Sequence, residues 1–142
     1  MTARTIHIGE GEPQVALEIL GYAHPDVAEP EGMDLLDCLV HAVAPPVRAT
    51  FPVPIRVDEL RAVGAYLEQI NSGNGPPASF AIAGGLFELS FAPSRRGPVL
   101  CAVRLKSIEQ AHARLEYLVT LEPESITRLL RDLSTFDPQP GA

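Results

Sequence analysis

By residue type, four histidines, two cysteines and an adjacent pair of arginines are the parts of this 142-residue chain best suited to chemistry. Their spacing decides what chemistry is open to them. His7, His24, His41 and His112 fall into no HxH, HExxH or Cys/His cluster, the patterns that bring two or more ligands to one metal. Asp37 and His41 stand four residues apart. On a helix they would be neighbours, but on the strand favoured below they would lie ~13 Å apart along one face, too far for an acid–base pair. His24-Pro25-Asp26 belongs to a loop, where an ordinary solvated turn is the simpler reading beside a metal or catalytic role. No serine sits in a GxSxG elbow, and neither Cys38 nor Cys101 has a basic neighbour in sequence to lower its pKa. Both cysteines occur in apolar alternating runs and are expected as free buried thiols, with a disulfide or metal pair as the alternative. Gly73, Gly75, Gly84 and Gly85 build no phosphate loop. Arg95 and Arg96, at a hairpin tip, could grip a phosphate or carboxylate or simply keep the turn hydrated. These readings lead to a protein that is not an enzyme and that carries no cofactor and no metal.

Charge gives a clearer lead. The chain has a net charge of −7, and all of it arises in the first third. Residues 5–47 hold no Lys or Arg but contain Glu10, Glu12, Glu18, Asp26, Glu29, Glu31, Asp34 and Asp37, while residues 48–142 carry ten acids and ten bases. Phosphate binding needs clustered Lys and Arg, so nucleic acid and anionic membrane are poor partners, and a basic protein is a good one. Glu10, Glu12, Asp26, Glu29, Glu31, Asp34 and Asp37 are the candidate partner-binding residues. The alternative is an acidic loop that serves solubility alone. No apolar run approaches the ~20 residues that span a bilayer. Residues 1–11 lack the basic-then-apolar layout of a secretory signal, so the expected location is cytoplasmic.

The elements that would position these residues follow from periodicity. Residues 5–8 form a short strand. Residues 14–22 form a firmer one, with Val15, Leu17 and Ile19 on one face and Glu18 on the other. Residues 24–33, with two prolines, a glycine and several acids, read as a surface loop. Residues 34–43 fit a strand with Leu36, Cys38, Val40 and Ala42 on one side better than they fit a helix. In residues 47–55, Pro52 and Pro54 remove two backbone donors from the same side, which calls for an edge strand. A helix over 58–70 presents Leu60, Val63, Leu67 and Ile70 as one stripe, with Asp58 as N-cap. After the 72–77 loop, residues 79–83 and 86–91 flank Gly84-Gly85, which predicts a two-residue hairpin turn.

Two more strands complete an antiparallel meander with one wet face. Val99, Cys101, Val103 and Leu105 face inward on the first, and Leu115, Tyr117, Val119 and Leu121 on the second. Pro123 opens the last helix, whose buried face is Ile126, Leu129, Leu130, Leu133 and Phe136. The expected fold is α+β, with antiparallel sheets in the order strands-helix-strands-helix and two amphipathic helices. One domain should cover 1–142, with an ordered core over 5–136 and a flexible tail at 137–142. The similar layout of the two halves makes a duplication conceivable, although their helices share only amphipathicity.

This succession resembles the WapI-type family of bacterial immunity proteins. The matching pieces are Leu17-Glu18-Ile19-Leu20-Gly21-Tyr22 with Pro25 just after, the strand over 37–43, and the helix entry Glu59-Leu60 through Tyr66-Leu67. Gly85-Leu86-Phe87-Glu88-Leu89-Ser90-Phe91 and the closing strand–helix over 118–136 also match. The resemblance implies a small cytoplasmic bacterial protein that neutralises the toxin domain of a neighbouring cell, and it supplies no catalytic residues. Two other readings stay open on the residues alone. One is a general interaction module or homodimer; the other is a small-ligand binder with a pocket between sheet and helices.

Overall fold

The computed structural model describes residues 4–26, 34–73, 75–95, 97–107, 109 and 113–136. The first half of the chain is a meander of four antiparallel strands followed by a helix. These are β1 (Arg4–Ile8), β2 (Gln14–Tyr22), β3 (Leu35–Ala44), β4 (Val47–Arg56) and α1 (Val57–Asn71). The strands lie side by side in chain order. Alternation fixes the register, because a slip of one residue would turn the apolar set to water; it is interrupted in β2 by a register shift between Ile19 and Gly21. Val15, Leu17 and Ile19 of β2 pack beside Leu36, Cys38, Val40 and Ala42 of β3, all buried. β4 adds Phe51, Val53 and Ile55 to that face, while Val47 at its start stays exposed. β4 is an outer strand, as its two prolines require. The free side of the ladder is where missing N–H groups cost nothing.

The α1 cap differs from expectation. Asp58 lies inside the first turn, and Arg56 occupies the N-cap position with extended backbone (φ −83°, ψ 148°). Glu59 reaches back instead, accepting the Arg56 N–H at 3.0 Å. Glu satisfies an orphan donor from the third helical position as well as a capping Asp would from in front. Asp58 is drawn to the Arg56 guanidinium (Oδ1–Nε 3.2 Å). Leu60, Val63, Tyr66 and Leu67 are buried and Ile70 packs partly against the core.

The second half repeats the plan with β5 (Ala78–Ile82), β6 (Phe87–Ala92), β7 (Val99–Lys106), β8 (Arg114–Leu121) and α2 (Pro123–Phe136). Its four strands also lie in chain order. Phe87, Leu89, Phe91, Val99, Cys101, Val103, Leu105, Val119 and Leu121 are buried, while Leu115 and Tyr117 are half-buried on the same face. The β5–β6 turn is longer than the two residues predicted. Ile82 pairs with Phe87, and Ala83–Gly85 form a 3-10 turn between them. Ala83 (φ 55°), Gly84 (φ 69°) and Gly85 (φ 95°) are all left-handed, and glycine is the residue that accepts such dihedrals without strain. In α2, Ile126 and Leu129 are buried and Leu130 and Leu133 half-buried. The Phe136 side chain and the 137–142 segment lie outside the described residues.

One hydrophobic core joins both halves. Tyr66 of α1 meets Phe80 (centroids 5.5 Å apart) and Phe91 (5.4 Å) of the second sheet. Glu59 spans the halves as well, its Oε2 accepting the Ala83 N–H at 3.0 Å. The Tyr117 hydroxyl donates to the Gln14 carbonyl at 2.8 Å, tying β8 to the start of β2. At Gly9 (φ +95°) the backbone runs so close to Val119 that a Cβ would stand 2.5 Å from its Cγ1.

A candidate partner-binding surface

The acids proposed from sequence divide between the two ends of the first sheet. Glu10 and Glu12 lie in the β1–β2 turn, before Gln14. Each has an arginine beside it: Glu10 meets Arg128 of α2 (3.2 Å), and Glu12 meets Arg48 of β4. Asp26 follows the other end of β2, and Asp34 immediately precedes β3. Asp37 joins them on β3, opposite Pro54 and beside Gly21. The eight-residue rise from Gln14 to Tyr22 puts ~27 Å between the two ends. Asp26 and Asp37 are exposed and Asp34 half-buried, and none of the three has an ion-pair partner among the described residues. Glu29 and Glu31 lie outside the described residues. At the same end, Arg56 is held by Asp58 (3.2 Å) and Glu59 (3.9 Å).

Glu18, the remaining acid of the segment, shows an arrangement that local spacing does not reveal. On the solvent face of the first sheet its Oε1 stands 2.9 Å from His41 Nε2, while His41 Nδ1 stands 3.0 Å from Thr50 Oγ1. Three adjacent strands supply these groups through cross-strand register, with Thr50 opposite His41. His41 does not pair with Asp37 among the described residues; its acid partner comes from 23 residues upstream. The trio satisfies polar groups across the open face of a sheet. His7 contacts Gln14 at 3.3 Å, and His24 is exposed in its loop.

Cys38 and Cys101 are free and buried. Burial pushes both thiols up to about 12, helped at Cys38 by the negative charge of Asp37, so neither is a ready nucleophile. Arg95 lines a shallow cavity with Asn71, Ser94 and Pro123, between the end of α1 and the start of α2; Arg96 lies outside the described residues. Among the described residues no three His, Cys, Asp or Glu side chains gather where they could hold a metal ion. No helix among them is long and apolar enough to cross a membrane.

Two antiparallel sheets and two amphipathic helices define an α+β protein. Residues 5–136 match the family described as immunity protein WapI-like, and the chain belongs to that family. No curated protein and no solved structure matches it.

Proposed function

We propose that this chain is the immunity partner of a toxin domain, which it neutralises by binding a basic face of that domain with the Asp26–Asp34–Asp37 end of its first sheet. Family membership supports the immunity role. The observation that carries the choice of surface is the contrast between the two acidic ends. Glu10 and Glu12 are engaged by Arg128 and Arg48, whereas the three aspartates have no ion-pair partner among the described residues. A nuclease is the toxin class that fits best, because a face that holds nucleic acid must be basic. Complementary charge also accelerates encounter, which suits an inhibitor that must act before damage is done.

Charge reversal separates the two ends. Asp26→Lys, Asp34→Lys and Asp37→Lys together should slow association with the cognate toxin domain by about tenfold or more at low salt. Protection on co-expression should weaken in parallel. Glu10→Lys with Glu12→Lys should change the association rate less. Thermal melts of both variants establish that they remain folded. Wild-type association and full protection by the folded triple variant would refute the assignment of this surface.

A further inference from the structure

The outer edge of β8 carries a pattern that its place in the fold does not use. Residues two apart in a strand turn their backbone groups to the same side. The β7–β8 ladder continues in a bond from the Ser107 N–H to the Ala113 carbonyl (3.0 Å), in the register that pairs Leu105 with Leu115, Val103 with Tyr117 and Cys101 with Val119. The odd-numbered residues of β8 therefore direct their N–H and C=O groups to β7. Arg114, Glu116, Leu118 and Thr120 turn theirs outward, because β8 is the last strand of its sheet. Among the described residues nothing pairs with them.

The other outer strands are poorer templates. β4 is interrupted by Pro52 and Pro54, β1 and β5 have five residues each, and β1 packs against α2. β8 has eight residues and no proline. An open edge of this kind invites another strand. The side chains of the same four residues are exposed. Leu118, at 59%, is more exposed than Leu20, Val47 or Leu100, the other large apolar side chains that stand out from the surface among the described residues. Leu100, on the neighbouring β7, extends the apolar strip toward Leu118.

The order of side chains along this edge is complementary to itself. A two-fold axis through Leu118 runs β8 antiparallel to its own copy, setting Leu118 against Leu118 and Glu116 against Thr120, and bringing Arg114 toward Glu122, which lies one residue beyond β8 where the chain turns into α2. Moving the axis to Tyr117 would set Glu116 against Leu118. Moving it to Val119 would oppose Glu116 to Glu122, and like charges directly opposite are destabilising. Only the axis at Leu118 matches apolar with apolar and base with acid. We propose that the occupant of this edge is a second copy of the chain. Pairing β8 with β8 would fuse two four-stranded sheets into one continuous sheet across a closed two-fold interface. This surface lies on the second sheet, away from Asp26, Asp34 and Asp37, so the inference goes beyond the toxin-binding proposal and does not depend on it.

Sedimentation velocity of the full chain over about a hundredfold range of concentration tests it by mass action. Wild type should show a concentration-dependent species of twice the chain mass. Leu118→Asp should be monomeric. Arg114→Glu and Glu122→Arg should each weaken the dimer by about tenfold or more, and together restore it, since the pair exchanges signs across the interface. Leu118→Cys should cross-link the two copies under mild oxidation, because that position faces itself at ~5.5 Å between Cα atoms, within disulfide reach; Cys38 and Cys101 are buried and do not compete. Circular dichroism melts check that each variant is folded. A wild-type chain that remains monomeric throughout would overturn the proposal. So would a dimer insensitive to Leu118→Asp, or a double charge swap no better than either single reversal.

Discussion

Half-buried Tyr117 is one of the residues, with the buried Cys38 and Cys101, whose ionisation bears on the fold. Its hydroxyl donates to the Gln14 carbonyl. Burial, only partly offset by a bond from the Val43 backbone, pushes its pKa up to about 12. An unfolded tyrosine titrates near ~10, so the folded state holds the neutral phenol more tightly. The resulting stability is complete below pH ~10 and is lost as pH rises through about 12. Urea unfolding of the wild type should therefore show falling stability across that window. Tyr117→Phe should be weaker at pH 8 by ~1 kcal/mol, for the lost hydrogen bond, and should lose less above pH 10. Equal alkaline slopes for the two proteins would contradict this account. At this scale the sequence revealed which side chains are apolar and inward, including both cysteines. It did not reveal polar partnerships. Tyr117 reaches 103 residues back to Gln14, and His41 finds Glu18 on another strand; such distances are set by register, which local spacing does not contain.

At the scale of elements, Glu59 couples a helix end to a turn in the opposite half. One carboxylate oxygen accepts the Arg56 N–H and the other the Ala83 N–H. Glu59→Ala should cost ~2 kcal/mol in denaturant unfolding, through a lost cap and a partly buried N–H left without its acceptor. Glu59→Gln, which keeps an acceptor oxygen, should cost less; equal losses for both would show that the carboxylate geometry is not what matters. Pro52 and Pro54 make a second element-level test. Replacing both with Thr would return two donors to the open side of β4. Sedimentation should then reveal species larger than those of wild type, and an unchanged distribution would mean the edge is protected by something else. Strands and helices were legible because alternation and the three-to-four spacing are local. Helix starts and turn lengths were less so. Asp58 and Glu59 are adjacent and both acidic, and only the path of the chain into α1 decides which one caps. Gly84-Gly85 signalled a hairpin correctly, but Ala83 and Leu86 also join the turn because pairing resumes only at Ile82 and Phe87.

Across the whole molecule, the sequence located the excess negative charge in the first third but not its distribution in space. The acids of residues 10–37 appear continuous along the chain. β2 then carries them ~27 Å, so that Glu10 and Glu12 come to rest beside arginines from β4 and α2 while Asp26, Asp34 and Asp37 remain together at the far end. Separation by strand length and neutralisation by distant arginines are tertiary effects, and they narrow the candidate surface to one end of one sheet. The central claim is that this surface serves the neutralisation of a toxin, and a titration tests it most directly. On the immunity reading a toxin domain is expected beside this chain's own gene; that domain is purified, and its activity is measured as the chain is added. The account predicts loss of activity with an endpoint at one immunity chain per toxin domain, and a rightward shift of the curve for the folded Asp26, Asp34 and Asp37 charge-reversal variant. A toxin that stays fully active in the presence of excess folded chain would contradict it.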